Sequence, residues 1–228
     1  MKEMSVAAAA VELGVSRRQV ARLARAGEVV VAREIGDMLL LDAGSVHRRA
    51  QLRPVRGRPW NEDVAWAALT LLSGEDVDWI PAAQMARLKH RLRRSSAQEV
   101  AFLARRRAAV HRMRGWAGSA ANLSEYLVLT GASALVRRPV VSKFGLAASR
   151  RGIDGYVLAE EYDGLVDHFG LTVDGDGDIT VRAVTIADAF RGGEVPLAAV
   201  AVDLMDSLDT RERSAGTRVL QNLLDDVR

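Results

Sequence analysis

The side chains with the clearest chemical potential in this sequence are arginines near its N-terminus. A guanidinium group is a planar fork of donors that fits a phosphate, or the O6 and N7 edge of guanine, with two hydrogen bonds. Serine and glutamine side chains can add hydrogen bonds to the same kind of target. The residues with this potential are Ser16, Arg17, Arg18, Gln19, Arg22, Arg25 and Arg33. Their chemistry is typical of a surface that binds double-stranded DNA.

Local signals place most of these residues on the second of two short helices. Ser5 and Ser16 are each expected to cap a helix, over 6–13 and 17–26 respectively. Gly14 lies in the tight turn between the two helices and tolerates a positive φ. The apolar positions of the second helix recur at helical spacing and are expected to face inward, which leaves the arginines outward. These inward positions are Val20, Leu23 and Ala24.

A hairpin and a third helix are expected to follow. Two β-rich runs, 29–31 and 38–41, flank a glycine-bearing stretch over 33–37. Asp42 is expected to cap the third helix. The order helix, turn, helix, hairpin, helix is that of a winged helix-turn-helix, with Arg33 on the wing.

The stretch SVAAAAVELGVSRRQVARLARAGEVVVAREIGDMLLLDAGSV resembles the excisionase and MerR-type DNA-binding module. That family runs from a Ser-hydrophobic-x-x-Ala-Ala start through Leu-Gly-Val-Ser to a basic recognition helix, a wing and an Asp-x-x-Ser-Val helix. The resemblance implies that Arg17, Arg18 and Arg22 enter the major groove and that Arg33 on the wing touches the backbone or the minor groove. Two features depart from the family: Ala21 replaces the usual aromatic residue, and the wing has few basic residues. The alternative is a helical protein-interaction domain whose arginines form a solvated face.

Charge is distributed unevenly along the chain. Residues 1–120 contain 21 Lys and Arg against 12 Asp and Glu, whereas residues 121–228 contain 11 against 17. Phosphate neutralisation by Lys and Arg supplies most of non-specific DNA affinity, so the N-terminal part is expected to bind DNA. The acidic part is expected to bind a partner or to form a homodimer. Because the chain has no cysteine, disulfides, thiol catalysis and zinc fingers are excluded.

The sequence predicts a multidomain protein with no membrane contact. No signal peptide and no apolar run of about 20 residues is present, so a cytoplasmic location is expected. The predicted segments are a winged helix-turn-helix domain over 1–52, a linker over 53–60, a basic helical segment over 61–118 and an acidic α+β domain over 119–228. The basic segment is expected to hold three helices beginning at Asn61, Pro81 and Ser96, the third reaching Val110. Whether its arginines bind DNA or protein stays open.

In the C-terminal part the sequence predicts strands over 125–129, 153–158, 171–173 and 179–184, with a helix over 160–169. The last two strands are expected to pair as a hairpin around the Asp-Gly-Asp-Gly-Asp run at 174–178. This run imitates a calcium loop, but Ile179 stands where glycine is needed and Thr185 where glutamate is needed. No metal and no other cofactor is therefore expected.

The pattern TGASAL followed by RGIDGYVL is similar to the start of the nucleotidyltransferase fold, in which a strand presents two carboxylates to two metal ions. Such chemistry needs acids at positions i and i+2, on the same side of the strand. Asp154 is followed at i+2 by Tyr156, so the chain is not expected to be an enzyme. The alternative is a degenerate nucleotidyltransferase-like protein without DNA binding.

The whole layout, ending in PLAAVAVDLMDSLDTRERSAGTRVL, is similar to actinobacterial proteins related to the AbiEi-type antitoxins of type IV toxin-antitoxin systems. This resemblance implies an autoregulating antitoxin encoded beside a nucleotidyltransferase-like toxin. The sequence as a whole favours a sequence-specific DNA-binding transcriptional regulator. A protein-interaction module remains the alternative.

Overall fold

A computed structural model of the chain describes residues 3–36, 38–51, 58–116, 122–147, 152–190 and 193–227. It divides into two compact units, Met1–Arg56 and Gly57–Arg228. Most of the expected linker, residues 53–57, lies outside the described residues. Among the helices of the described ranges, none combines the length and the apolar character needed to cross a bilayer.

The first unit contains three helices and a three-stranded antiparallel sheet. Its elements are β1 (Glu3–Ser5), α1 (Val6–Leu13), α2 (Arg17–Arg25), β2 (Val31–Ile35), β3 (Met38–Asp42) and α3 (Ala43–Gln51). Helix, turn, helix, hairpin and helix follow one another as expected. The buried side chains at its centre include Ala9, Val20, Leu23, Leu41 and Val46.

The caps of these helices are those that the sequence indicated. Ser5 Oγ accepts a hydrogen bond from the Ala8 N–H at 3.2 Å, and Ser16 Oγ accepts one from the Gln19 N–H at 3.2 Å. The carboxylate of Asp42 accepts the first backbone N–H groups of α3. Each cap satisfies donors that the first turn of a helix leaves without a partner.

The hairpin differs in detail from its prediction. Residues 33–35 were expected in the turn, but they extend β2, which pairs with β3 up to Ile35 opposite Met38. A further strand, β1, pairs with the other edge of β3, with Met4 opposite Leu41. β1 was not predicted, because a three-residue strand carries too short a pattern to be recognised.

The second unit has a mixed α+β arrangement. Its helices are α4 (Glu62–Leu72), α5 (Ala82–Leu92), α6 (Ala97–Leu103), α7 (Arg138–Phe144), α8 (Ala159–Phe169), α9 (Leu197–Met205) and α10 (Thr210–Asp226), with two 3-10 helices, Gly131–Val136 and Ala187–Phe190. Its strands are β4 (Ala109–Arg114), β5 (Val128–Leu129), β6 (Ile153–Leu158), β7 (Thr172–Val173) and β8 (Ile179–Val184). The strands form one sheet in the order β5-β6-β8-β4-β7.

The predicted pairing of the last two strands is wrong. β4 lies between β7 and β8 and is antiparallel to both, whereas β6 and β8 are parallel. The 174–178 loop lies against the backbone of β4: the Asp174 N–H donates to the Arg112 carbonyl, and a Cβ on Gly177 would lie 2.0 Å from the Met113 oxygen. The 174–178 loop therefore does not form a tight hairpin turn. It leaves room for β4 between β7 and β8.

The basic middle segment is not a separate bundle. Its third helix ends at Leu103 rather than reaching Val110, and residues 109–114 form β4 in the sheet of the C-terminal part. The Trp66 indole of α4 packs edge-on against the Tyr156 ring of β6, with ring centroids 5.1 Å apart. The expected boundary at residue 118 therefore divides residues that belong to one compact unit.

Helices cover both faces of this sheet. On one face Tyr156 and Val184 join a core with α4, α9 and α10. On the other face Val157 and Val181 pack with Leu165 of α8. Neighbouring residues of a strand point to opposite faces, so β6 contributes to both cores.

Candidate nucleic-acid interface

The four arginines of α2 are exposed, whereas the opposite side of the helix is anchored in the core. Val20 is fully buried and Leu23 nearly so, and these two side chains hold α2 against the rest of the first unit. Ser16 is exposed and Gln19 is half-buried. The exposed arginines are Arg17, Arg18, Arg22 and Arg25.

The carboxylates of the first unit that form ion pairs do so with residues outside α2. Glu28 pairs with Arg49 at 3.1 Å, and Glu12 lies within hydrogen-bond distance of the His47 ring, at 3.0 Å. Within the described residues, no carboxylate lies within ion-pair distance of the four α2 arginines. Their guanidinium donors face solvent and are available to an anionic ligand.

Arg33, the residue expected to contact DNA from the wing, forms an ion pair within the first unit. Its Nη2 and Nε donate to one oxygen of Glu3, at 2.9 and 3.2 Å, which links β2 to the N-terminal strand β1. The Arg33 side chain keeps 59% of its surface exposed. A phosphate would therefore compete with Glu3 for this guanidinium.

The arginines of the middle segment divide between two environments. Arg107 is buried, Arg114 pairs with Asp174 at 2.6 Å, and Arg105 stacks on the Phe102 ring at 3.8 Å. The outward side of α5 and the residues that follow it stay exposed, with Arg87, Arg91 and Arg94 on one stripe.

Arg107 belongs to a buried network centred on Asp203 of α9. The Asp203 carboxylate pairs with the guanidinium groups of Arg107 and Arg182, the latter at 3.1 Å. It also accepts hydrogen bonds from the hydroxyl groups of Tyr156, at 2.9 and 3.0 Å, and Thr130. Every buried charge in this network has an opposite charge beside it.

The electrostatics of the network follow from burial and proximity. Burial by itself would raise the pKa of Asp203, but Arg107 and Arg182 outweigh it and hold that pKa below its usual range. Burial raises the pKa of the Tyr156 phenol far above its ordinary value. Tyr156 is thus a neutral donor at neutral pH.

The residues of the nucleotidyltransferase-like pattern lie close together, and their polar groups form hydrogen bonds within the chain. Ser133 Oγ accepts a hydrogen bond from the Asp154 N–H at 2.9 Å. The two Asp154 oxygens accept from Nε and Nη2 of Arg182, at 2.7 and 2.9 Å. Both hydrogen bonds that this carboxylate accepts come from Arg182, a cation of the chain itself.

No cluster of three or more His, Asp or Glu side chains suited to a metal ion occurs in the described ranges. In the Asp-Gly-Asp-Gly-Asp loop, Asp174 is engaged by Arg114 and by the Asp176 N–H. Its carboxylate orders the loop and binds β4.

Sequence reasoning missed the network around Asp203. One signal was present: Asp203 is the single charge in the apolar run PLAAVAVDLM, and a charge inside a buried helix requires a partner. The partners lie far away in the sequence, with Arg107 separated by 96 positions.

Comparison with known proteins found no matching family model, no matching curated protein and no matching solved structure.

Proposed function

We propose that the chain is a sequence-specific DNA-binding regulator whose first unit works as a winged helix-turn-helix. α2 is its recognition helix. The observation that carries the proposal is the outward face of α2, where Arg17, Arg18, Arg22 and Arg25 are exposed and unpaired among the described residues.

The chemistry of this face fits duplex DNA better than a neutral protein surface. Four guanidinium groups on one short helix match phosphates and guanine edges in a major groove, which admits an α-helix. Leaving four like charges side by side is unfavourable unless a polyanion neutralises them. A helix N-terminus adds backbone N–H groups that favour a phosphate near Ser16 and Arg17.

The roles of individual residues follow from their places on α2. We assign base readout to Arg17, Arg18 and Arg22 and a backbone contact to Arg25. Ser16 and Gln19 contribute polar contacts at the start of the helix. Arg33 serves as a backbone contact from the hairpin once a phosphate replaces Glu3.

The resemblance to AbiEi-type antitoxins extends this proposal to autoregulation. The operator would then lie in the promoter of the chain's own gene, and the partner would be a nucleotidyltransferase-like toxin. That promoter is the DNA to test first.

The test is a titration of the full chain against a labelled duplex of this promoter and against a random duplex of equal length. Arg18→Ala or Arg22→Ala should cost about 1–3 kcal/mol on the specific duplex and less on the random one. Arg211→Ala is the matched control, because Arg211 is exposed on α10 of the second unit. Equal losses on both duplexes would remove the readout role, and no binding at low salt would refute the proposal.

A further inference from the structure

A groove of about 370 Å³ lies between α8 and the segment that precedes β5. One wall is a stripe of α8 residues at helical spacing, Glu161, Gly164, Leu165 and His168. Tyr126 forms the opposite wall, and Val157 of β6 lies in the floor. The groove therefore has an apolar base and one acidic edge.

Gly164 lines this groove without contributing a side chain. It lies in the middle of α8, where glycine costs about 1 kcal/mol relative to alanine. A Cβ at this position would have no atom within 4 Å, so the packing of the described chain does not require a glycine here. Glycine leaves bare backbone on this wall, which a side chain from outside the chain can approach closely.

Aromatic side chains line the groove and remain accessible. Tyr126 is 57% exposed, and its ring lies 5.2 Å from the Phe169 ring and 5.8 Å from the His168 ring, measured between centroids. Beyond the end of α8, Trp116 is 80% exposed beside Gly170. Exposed tyrosine and tryptophan next to a pocket are the residue types that dominate protein–protein binding energy.

The charge around the groove selects the kind of partner. The helix that lines the groove, α8, contains four Asp and Glu and no Lys or Arg. The carboxylates of α8 are exposed, at Glu160, Glu161, Asp163 and Asp167. Two copies of α8 facing each other would repel, whereas a basic segment would be attracted.

We propose that this groove docks a basic segment of another protein. The segment inserts one aliphatic or aromatic side chain over Gly164, against Leu165 and Tyr126. Its Lys or Arg residues face Glu161 and the neighbouring carboxylates of α8. This site is separate from α2 and does not depend on DNA binding.

The test uses the full chain and a panel of short fluorescein-labelled peptides, each with one Leu, Phe or Trp flanked by arginines. Each peptide has two counterparts, one with glutamate in place of arginine and one with alanine in place of the apolar residue. Fluorescence anisotropy measures binding. At least one basic peptide should bind, and both of its counterparts should bind at least about tenfold more weakly.

Two pairs of variants locate the binding. Gly164→Ala should weaken the best peptide by about tenfold while raising the midpoint of thermal unfolding, because alanine favours the helix. Gly175→Ala, at an exposed glycine with open space around it, should leave binding unchanged. Glu161→Gln should weaken binding more than Asp163→Asn does, since Asp163 does not line the groove.

Four results would overturn the proposal. The first is that no basic peptide binds, and the second is that its acidic counterpart binds equally well. The third is that Gly164→Ala leaves the affinity unchanged. Self-association of the chain that Gly164→Ala abolishes would show instead that a second copy occupies the groove, which also overturns the proposal.

Discussion

Arg107 and Asp203 form an ion pair at the centre of the second unit, where 4% of the arginine side chain and none of the aspartate side chain is exposed. Arg107 precedes β4, whereas Asp203 lies on α9, so the pair links the start of β4 to α9. Arg182 of β8 and Tyr156 of β6 bond to the same carboxylate. One aspartate thus holds together four parts of the chain.

Removing the Asp203 charge should therefore destabilise the second unit strongly. Asp203→Asn leaves two buried guanidinium groups without their shared counter-charge, and breaking a buried pair costs about 3–5 kcal/mol. Asp206→Asn is the matched control, because Asp206 also pairs with Arg107 but is 56% exposed, and its loss should cost less than about 1 kcal/mol. Urea unfolding of both variants measures the difference. Equal free energies of unfolding would contradict the role given to Asp203.

The same carboxylate should contribute to acid sensitivity. Its pKa is lower in the folded chain than the ordinary value of about 3.9, so the unfolded chain binds a proton here more readily. The stabilisation is complete above about pH 5 and is lost as the pH falls through 3.9 towards the folded pKa. An NMR titration should find the Asp203 carboxyl still ionised at about pH 3.9. A carboxyl that is half protonated there, or at higher pH, would refute this.

The position of β4 in the sheet can be tested through two neighbouring glycines. Gly177→Ala would place a Cβ against the Met113 carbonyl of β4 and should cost about 1–3 kcal/mol of unfolding free energy. Gly175→Ala meets open space in the same loop and should change stability by less than about 0.5 kcal/mol. If β7 and β8 paired directly with each other, the two substitutions would have similar effects.

Features encoded within one turn of helix were predictable from the sequence. The serine caps at Ser5 and Ser16 and the capping box of Ser96 with Glu99 depend on residues three apart, and all are present. The inward positions Val20 and Leu23 on α2 were also predicted, because amphipathic spacing is a local property. These signals were sufficient to orient the arginines of the candidate site.

Features that depend on distant partners were not predictable. In the sequence, residues 109–114 look like the continuation of a basic helix. In the structure they form β4, because they pair with β8, which lies about seventy positions away in the chain. From the sequence alone, Arg107 and Arg182 look like exposed arginines. Only the structure shows that both are buried and pair with Asp203. The ion pair of Arg33 with Glu3 was hidden for the same reason, since β1 carries no pattern of its own.

That ion pair gives a prediction for DNA binding, which rests on the proposed function. Glu3→Gln should free Arg33 for a phosphate and raise affinity for random duplex DNA, with one additional phosphate contact adding about 0.9 to the salt slope. Glu34→Gln is the control, because it removes the same charge from β2 without releasing Arg33. Binding titrations at several salt concentrations test the pair. Identical slopes for the two variants would exclude a phosphate contact by Arg33.

The last prediction concerns catalysis by the second unit. We expect no nucleotide transfer to RNA, DNA or protein with magnesium or manganese. Asp154 already accepts two hydrogen bonds from Arg182, and Tyr156 occupies the i+2 position from which a second carboxylate would have to reach a metal ion. A neutral phenol is a poor magnesium ligand, and here its hydroxyl is bonded to Asp203.

Labelled nucleoside triphosphates and a panel of acceptors decide this question, with Asp154→Asn as the diagnostic variant. Asp154 lies at the rim of the network, with 21% of its side chain exposed. Its amide replacement keeps one acceptor oxygen for Arg182, so the variant should still fold and bind DNA. Incorporation of label that disappears in Asp154→Asn, with circular dichroism unchanged, would show that the Asp154 carboxylate is needed for the transfer. The second unit would then be an active nucleotidyltransferase.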